Sequence, residues 1–308
     1  MFRTVYISGG EKLRIKDNWL TISMPTSEKQ VPIGDIRAIV VDNIHALASM
    51  YTLQALAKEN IAVIICDDEH LPCCNVVPLN QHYRPYGVLK RQLALTEEFK
   101  NLLWARITRS KILNQSMALW IKEGNTPAVM RLEQLAAEVL PGDIGNREGI
   151  AAKMFFRNFY GYNFIRFEDD IINSAMNYGY AIMRSTVAQA LCSYGYNCAL
   201  GIHHINENNP FNLADDFMEP LRPLVDLWID RNNEDLVEKL TKTNKIGLIN
   251  VVNSNIFLGD KLMKVHNAID KYVGSLTTAI EHGDVNRLQV PLMGERNERK
   301  IHANIGYV

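Results

Sequence analysis

The sequence lacks the features of several protein classes. No uncharged apolar run approaches the 18 residues that a membrane-spanning helix needs, and the first residues contain no apolar core typical of a secretion signal. The five cysteines are odd in number and include no pair of CxxC motifs, which argues against both a disulfide framework and a structural zinc site. These absences predict reduced thiols and a cytoplasmic protein.

The net charge of −1, from 33 Lys and Arg against 34 Asp and Glu, does not indicate a strongly charged partner. The distribution is less even: residues 90–166 hold an excess of basic residues, and residues 167–308 hold an excess of acidic ones. This difference fits a basic surface beside an acidic site that acts on a nucleic acid. Because the difference is small, ordinary variation among surface residues is the favoured explanation.

A length of 308 residues with 47% hydrophobic content predicts two domains. Short apolar runs of strand type, such as Ile36–Val41, fill the first part of the chain, with one helix from Ala46 to Lys58. The proline-rich stretch from Leu71 to Pro85 indicates a linker, and helical periodicity follows it. We therefore predict an α+β protein with a β-rich domain at 1–75, a linker at 76–87, a larger all-α C-terminal domain at 88–285 and a loosely docked tail at 286–308.

One long helix is predicted from Val88 to Gln115, with basic residues along its polar side. Such a row can follow a phosphate backbone, although basic residues on a helix are more often simply solvated. The helix includes Arg106, Arg109 and Lys111.

The segment from Gly201 to Pro223 concentrates the chemically active side chains, since it carries adjacent histidines and several carboxylates. Neighbouring residues point in different directions, so at most one of His203 and His204 is expected to be a ligand. Asp216 and Glu219 are three residues apart, on one face of a predicted helix that Pro220 bends or ends. These side chains suit a divalent-metal site, but ion pairing of a carboxylate with Arg222 explains them equally well.

A second acidic residue lies upstream, in the sequence Asn146-Arg147-Glu148-Gly149. Asn146 is a good N-cap, which places Glu148 in the first turn of a helix. The small residues around Glu148 allow another helix or a substrate to approach closely. Glutamate is also common in first turns without any further role.

Two motifs resemble those of a known family. They are EGxAAxxFF at Glu148–Phe156 and GIHHxNExNPFNLADDFMEPxRPxVD at Gly201–Asp226. Both are similar to motifs of the CRISPR-associated spacer-acquisition integrases, the larger of the two adaptation proteins, and most similar to the type II subtype. The resemblance covers essentially the whole chain, including RITRSKILNQ at Arg106–Gln115 and NYGYAIMRS at Asn177–Ser185.

The resemblance implies a site of three side chains, Glu148, His204 and Glu219, which bind Mg²⁺ or Mn²⁺ and carry the catalysis. It thus implies that the all-α domain is the catalytic domain and that the β-rich domain serves dimerisation and partner docking. Many family members have aspartate at the third position, and glutamate keeps a carboxylate there. His203 and Asp216 match positions outside the ligand set. Arginine and lysine side chains are expected to contact DNA phosphates; the residues in question are Arg106, Arg109, Lys111, Arg157, Arg166 and Arg184.

The activity that the resemblance implies is metal-dependent DNA integration and endonuclease chemistry in antiviral defence. The 3′-OH ends of captured foreign DNA would attack the CRISPR repeat by transesterification, and water in place of the 3′-OH would give hydrolysis. The expected partners are double-stranded DNA, a second copy of the chain, the small adaptation protein in a hetero-hexamer, the type II effector nuclease and a ring-shaped DNA-end-binding protein. A scaffold that binds DNA ends without catalysis, and a plain metal-dependent repair nuclease, are the alternatives.

Overall fold

The structure is a computed structural model that describes residues 3–9, 12–24, 26–68, 72–76 and 84–294. Strands dominate as far as residue 76, and helices dominate from residue 85. This order confirms the predicted α+β fold, with a β-rich N-terminal region before a larger helical region.

The N-terminal strands form two sheets around one helix, α1 (Met50–Lys58). In chain order, the described strands are β1 (Arg3–Ile7), β2 (Lys12–Lys16), β3 (Trp19–Met24), β4 (Ser27–Pro32), β5 (Ile36–Val41), β6 (Leu47–Ala48), β7 (Ala62–Cys66) and β8 (Pro72–Val76). One sheet has the order β1-β5-β7-β8 and the other β4-β3-β2-β6.

Local signals place several of these elements correctly. β2 and β3 pair antiparallel through a turn at Asp17 and Asn18, whose φ angles of 50° and 63° suit a tight hairpin. The predicted helix from Ala46 begins only at Met50, because β6 pairs with β2 and Ser49 caps the helix. A strand, β8, also lies within the stretch interpreted as a linker from Leu71; residues 77–83 of that linker lie outside the described residues.

The helical region contains α2 (Pro85–Leu93), α3 (Glu97–Glu123), α4 (Pro127–Ala137), α5 (Arg147–Phe159), α6 (Ile171–Ser193), α7 (Asn212–Met218), α8 (Arg222–Arg231), α9 (Lys242–Asn250) and α10 (Val265–His282). Within the described ranges, none of the helices combines the length and apolar character that crossing a membrane requires.

The central helix is α3, which packs against α4, α5 and α8. The prediction of a single helix from Val88 to Gln115 is wrong, because residues 94–96 interrupt it between α2 and α3. Thr96 causes the break, because its hydroxyl accepts a hydrogen bond from the amide of Phe99 at 3.2 Å and caps a new helix. Two acidic residues then follow in the first turn of α3.

The described part of the predicted tail, residues 286–294, is packed against the helical region rather than loosely docked. A small sheet of β10 (Lys261–Lys264), β9 (Asn255–Leu258) and β11 (Pro291–Leu292) adds strand structure to the region predicted as all-α. The buried Asn114 of α3 donates to the carbonyl oxygens of Pro220 at 2.6 Å and Pro291 at 3.1 Å. Residues 295–308 lie outside the described residues.

The two regions share an apolar core and a buried ion pair. On β5, Ile39 packs inside the N-terminal region while Val40 joins the helical core, so this strand is buried on both faces. Lys245 of α9 contacts the carboxylate of Asp42 at 3.0 Å, and both side chains are buried. Tyr6 also hydrogen-bonds Asp42, which ties the end of β5 to both regions.

Candidate active site

Glu148 lies in the first turn of α5, as its sequence context predicts. Asn146 caps the helix with a left-handed φ of 47°, and its side chain accepts from the amide of Gly149 at 3.3 Å. Asp143 accepts from the amides of Arg147 and Glu148, each at 2.9 Å. A side chain at Gly149 would lie 2.6 Å from the Asn146 amide oxygen, so glycine keeps this cap in place. The Glu148 carboxylate is thereby left for contacts outside its own helix.

Asp216 organises the histidine loop from α7. Its completely buried carboxylate accepts hydrogen bonds from the amides of Ile202 at 2.5 Å, His203 at 3.1 Å and His204 at 3.1 Å. The same carboxylate contacts Nδ1 of His204 at 2.6 Å. This hydrogen bond is the main reason that the pKa of His204 is raised. Asp216 therefore fixes both the backbone of the loop and the imidazole orientation.

Gly201 has no room for a side chain. A Cβ atom at this position would lie 2.1 Å from the carbonyl oxygen of His204 and 3.1 Å from an oxygen of Asp216. The glycine at the start of the GIHH motif is thus required by the close packing of the loop on itself.

Gly201→Ala is expected to lower the free energy of unfolding by roughly 2–3 kcal/mol, because the loop must move to admit the methyl group. Urea denaturation measures the change. Gly34→Ala is the matched control, since nothing lies within 4 Å of a Cβ there, and it should change stability by less than about 0.5 kcal/mol. An equal effect of the two substitutions would contradict the packing argument.

Glu219 begins a 3-10 turn directly after α7 ends at Met218, where the sequence predicts a bend. Its side chain is buried, contacts Lys111, and accepts from Nε of Arg222 at 2.9 Å. Burial raises the pKa of the Glu219 carboxyl, but the charges of Arg222 and Lys111 outweigh it and lower the pKa to about 2. The predicted pairing with Arg222 is therefore present, and Glu219 is an anion at neutral pH.

Lys111 connects the two carboxylates that the sequence places far apart. Its Nζ contacts both Glu148 and Glu219, and its side chain is buried between α3, α5 and the turn after α7. Burial lowers the pKa of Lys111, but the charges of Glu219 and Glu148 outweigh this effect, so the pKa is raised overall. The expectation that Lys111 lies on the solvated side of the long helix is wrong, because Asn114, Ser110 and Lys111 all face the interior.

The three predicted ligands are only partly assembled. Glu148 and Glu219 meet at Lys111, whereas the His204 imidazole is held by Asp216. In the part of the chain that the structure describes, no three His, Cys, Asp or Glu side chains are grouped closely enough to hold a metal ion. The arrangement therefore gathers two carboxylates around a cationic group, with an oriented imidazole on the adjoining loop.

His203 stacks on Trp104 and lies edge-on to His204, with the two histidine ring centroids 5.8 Å apart. The ring centroids of His203 and Trp104 are 4.1 Å apart and the planes are nearly parallel, at 2°. Burial is the main cause that lowers the pKa of His203, the opposite direction from that of His204. The expectation that the adjacent histidines point in different directions is wrong, because the irregular loop folded onto Asp216 brings both rings against the buried Trp104. Trp104 was not predicted as their partner.

The basic residues predicted to contact DNA from α3 have partners inside the protein. Arg106 donates to the carbonyl oxygen of Leu288 at 3.0 Å, and Arg109 donates to that of Ala136 at 3.1 Å. With Lys111 buried between carboxylates, these three side chains hold the helical region together. A role in DNA contact stays a prediction for each of them.

The other three predicted DNA contacts lie elsewhere. Arg157 is exposed on α5. Arg166 donates to the side-chain oxygens of Asn173 at 2.9 Å and Asn177 at 2.8 Å. Arg184 is half-buried, with its guanidinium carbon 5.2 Å from the ring centroid of Phe211. Their contact with DNA also stays a prediction.

A buried group behind Glu219 was not foreseen from the sequence. The guanidinium carbon of Arg222 lies 4.7 Å from the ring centroid of Tyr180, and the Tyr180 hydroxyl donates to Asp226 at 2.7 Å. Tyr160 donates to the same carboxylate at 3.1 Å. Asp226 is thus linked to Glu219 through a chain of contacts. The sequence signal that could have indicated this group is the spacing of four residues between Arg222 and Asp226, which places them on one face of a helix.

Asp226→Asn is expected to stabilise the protein more at pH 8 than at pH 5. Burial raises the pKa of Asp226 to about 6, above the ordinary value near 3.9 of the unfolded chain. The protonated carboxyl therefore favours folding at low pH, and this contribution is lost as pH rises through 6. Because Asn cannot ionise, the difference in unfolding free energy should grow by roughly 1 kcal/mol between pH 5 and 8. Urea denaturation at both pH values measures it, and a pH-independent difference would contradict the assignment.

A cavity of about 350 Å³ opens beside the histidine loop. Its walls come from α2, α3, α10 and the loop itself, and include Gln92, Lys100, Tyr196, His204 and Asn206. His204 is therefore in the wall of this cavity, whereas Glu148 and Glu219 are not among the residues that line it.

Comparisons with known proteins identify the family to which the chain belongs. The sequence profile of the family described as CRISPR associated protein Cas1 matches residues 5–239. The chain is 38% identical over 292 residues to a CRISPR-associated endonuclease Cas1 of Neisseria meningitidis serogroup C (strain 8013), covering 94% of this chain and 96% of that protein.

Solved structures share the fold at low sequence identity. A Cas6-RT-Cas1–Cas2 complex superposes with a TM-score of 0.72 and 19% identity, covering 94% of this chain and 36% of that longer chain. A casposase bound to its integration product superposes with a TM-score of 0.68 and 19% identity, covering 99% and 100% of the two chains. On the profile match and the 38% identical relative, the chain belongs to the Cas1 family of CRISPR-associated proteins.

Proposed function

We propose that this chain is a divalent-metal-dependent DNA integrase and endonuclease of CRISPR adaptation. One observation carries the proposal: Glu148 and Glu219, from separate elements, both contact one buried cationic group. The His204 imidazole, oriented by Asp216, lies on the adjoining loop. Family membership and the casposase fold support integration as the reaction.

Glu148, Glu219 and His204 would hold the metal. The ammonium of Lys111 between the two carboxylates supports this assignment, because it occupies the kind of position that a small cation takes. Two carboxylates with one imidazole suit Mn²⁺ well and Mg²⁺ less well, since Mg²⁺ prefers an all-oxygen environment. When bound, the metal would stabilise negative charge on the phosphodiester that is attacked in line.

The surrounding residues prepare these side chains. Asp216 accepts a hydrogen bond from Nδ1 of His204, which leaves Nε2 as the nitrogen that would bind the metal. Arg222 fixes Glu219, and the low pKa of Glu219 keeps it anionic over the physiological range. No side chain forms a covalent bond with DNA in this proposal, because the 3′-OH of the captured fragment attacks the repeat directly.

The proposed assembly follows from the two attacks that integration requires. One site in each chain implies at least two copies, so we propose a homodimer. The structurally similar Cas6-RT-Cas1–Cas2 complex includes Cas2, which supports a small partner of that type in a hetero-hexamer. Captured double-stranded DNA and the CRISPR repeat are the proposed substrates, with the type II effector nuclease and a ring-shaped DNA-end protein as further partners.

Strand transfer into a supercoiled, repeat-bearing plasmid tests the proposal. The purified protein is incubated with a short duplex in Mn²⁺, Mg²⁺ or EDTA, with and without the small partner. A duplex with 3′-dideoxy ends is the matched control, because it cannot attack. We expect a metal-dependent joined product only with free 3′-OH ends. Plasmid nicking without joining would indicate a plain nuclease, and DNA binding without any reaction would indicate a scaffold.

Glu219→Asp is expected to keep part of the strand-transfer activity, reduced roughly 10-fold to 100-fold. Aspartate retains the carboxylate but is one methylene shorter, so it misplaces the oxygen atoms by about 1 Å. Glu219→Gln, which has the original length but no charge, serves as the comparison and should be inactive. Equal activity of the two variants would show that the charge at this position does not matter.

A further inference from the structure

Lys111 stands out because its partners are both proposed metal ligands. The side chain belongs to the middle of α3 and is buried, and its Nζ contacts Glu148 on one side and Glu219 on the other. Of the two glutamates, Glu219 is buried and Glu148 is partly exposed. The ammonium is therefore the positive charge that the two carboxylates share.

A shared cation is needed at this position. Two carboxylates that both reach one Nζ atom lie close enough to repel each other, and burial of Glu219 removes the water that would weaken the repulsion. Arg222 offsets part of the charge of Glu219, whereas Lys111 contacts both carboxylates. The ammonium of Lys111 is thus placed to offset the repulsion between them.

A divalent metal bound by the same oxygens would compete with this ammonium. Two cations cannot occupy one position between two carboxylates, because like charges at such short range repel strongly. We propose that Lys111 is an internal counter-ion, which keeps Glu148 and Glu219 together in the metal-free protein and is displaced when the metal binds. This inference rests on the proposed metal-dependent function.

The incomplete grouping of ligands follows from this arrangement. The carboxylates are drawn onto Lys111, while the His204 imidazole is held by Asp216. Among the described residues, no three potential ligands are gathered as they would be around a bound ion. Displacing Lys111 frees the carboxylate oxygens to turn toward the imidazole, so metal binding completes the site.

Lys111→Met tests the competition, because methionine keeps much of the volume and removes the charge. Calorimetric titration with Mn²⁺ should show at least tenfold tighter binding by the variant than by the wild-type protein. Thermal unfolding should show a lower Tm for the metal-free variant and a larger rise of Tm on adding Mn²⁺. Lys122→Met is the matched control: Lys122 lies on the same helix and pairs with Asp230 at 2.9 Å, so its replacement should leave Mn²⁺ affinity unchanged.

Unchanged or weaker Mn²⁺ binding by Lys111→Met would overturn the inference, while leaving the proposed metal site intact if Glu148→Gln still abolishes binding. Absence of Mn²⁺ binding by the wild-type protein would overturn both proposals. If Lys111→Met does not fold, the wild-type protein provides the measurement. Mn²⁺ should then raise the rate at which an amine-reactive reagent modifies Lys111 but not Lys122, and equal rates with and without Mn²⁺ would overturn the inference.

Discussion

His204→Ala is expected to abolish strand transfer, whereas His203→Ala is expected to reduce it by less than about tenfold. His204 is oriented by Asp216 in the wall of a cavity, as a ligand would be, so its removal should cost more than the 10-fold to 100-fold typical of an outer-shell group. Removal of the His203 ring removes its stacking on Trp104 and its edge-on contact with His204, interactions of about 1 kcal/mol each.

The two variants control for each other, because they remove the same side chain from adjacent positions. Strand transfer is measured with saturating Mn²⁺, and unfolding by urea confirms that both variants are folded. Because the His204 side chain is partly exposed, its replacement by alanine creates no cavity in the core. The free energy of unfolding should therefore be nearly unchanged. An inactive His203→Ala with an active His204→Ala would show that the ligand register is shifted by one residue.

Among the substitutions proposed here, Asp216→Ala is expected to lower the free energy of unfolding most, by roughly 3–5 kcal/mol. Three backbone amides, those of Ile202, His203 and His204, would lose their acceptor, and each unsatisfied buried donor costs about 1–3 kcal/mol. Solvation of the exposed part of the loop limits the sum. Strand transfer should be lost as well, because His204 is no longer oriented.

Asp215→Ala is the neighbouring control for this prediction. Its carboxylate accepts from the side chain of Asn209 at 2.7 Å and supports no amide of the histidine loop. Urea denaturation should therefore give a change below about 1.5 kcal/mol for Asp215→Ala. Comparable losses for the two variants would mean that Asp216 is not the organiser of the loop.

The sequence predicts best what is determined by neighbouring residues. The hairpin at Asp17 and Asn18, the N-cap at Asn146 and the helix end before Glu219 all follow from local backbone preferences. The break before α3 is also encoded locally, by Thr96 and the acids after it, but the long apolar periodicity favours one continuous helix. Such a competition between two local signals is decided only when the helices pack.

What the sequence did not predict depends on contacts between distant segments. Nothing in the pattern around Lys111 indicates that α5 and the turn after α7 will place two carboxylates at its ammonium. The position of this basic residue on a long helix therefore predicts a DNA contact instead. The role of Asp216 is likewise open from the sequence, because the amides that donate to its carboxylate belong to a loop more than ten residues away.

The position of Asn114 bears on how the protein acquires its structure during translation. Asn114 follows Lys111 by three residues and hydrogen-bonds both to the residue after Glu219 and to β11 near position 291. Because a ribosome makes the chain from its N-terminus, the contact with Pro220 can form before the contact with Pro291, and the two are complete only after residue 291 has emerged. The neighbourhood of the two carboxylates is thus completed late, and a nascent chain that has not yet reached residue 291 lacks part of the support for its active site.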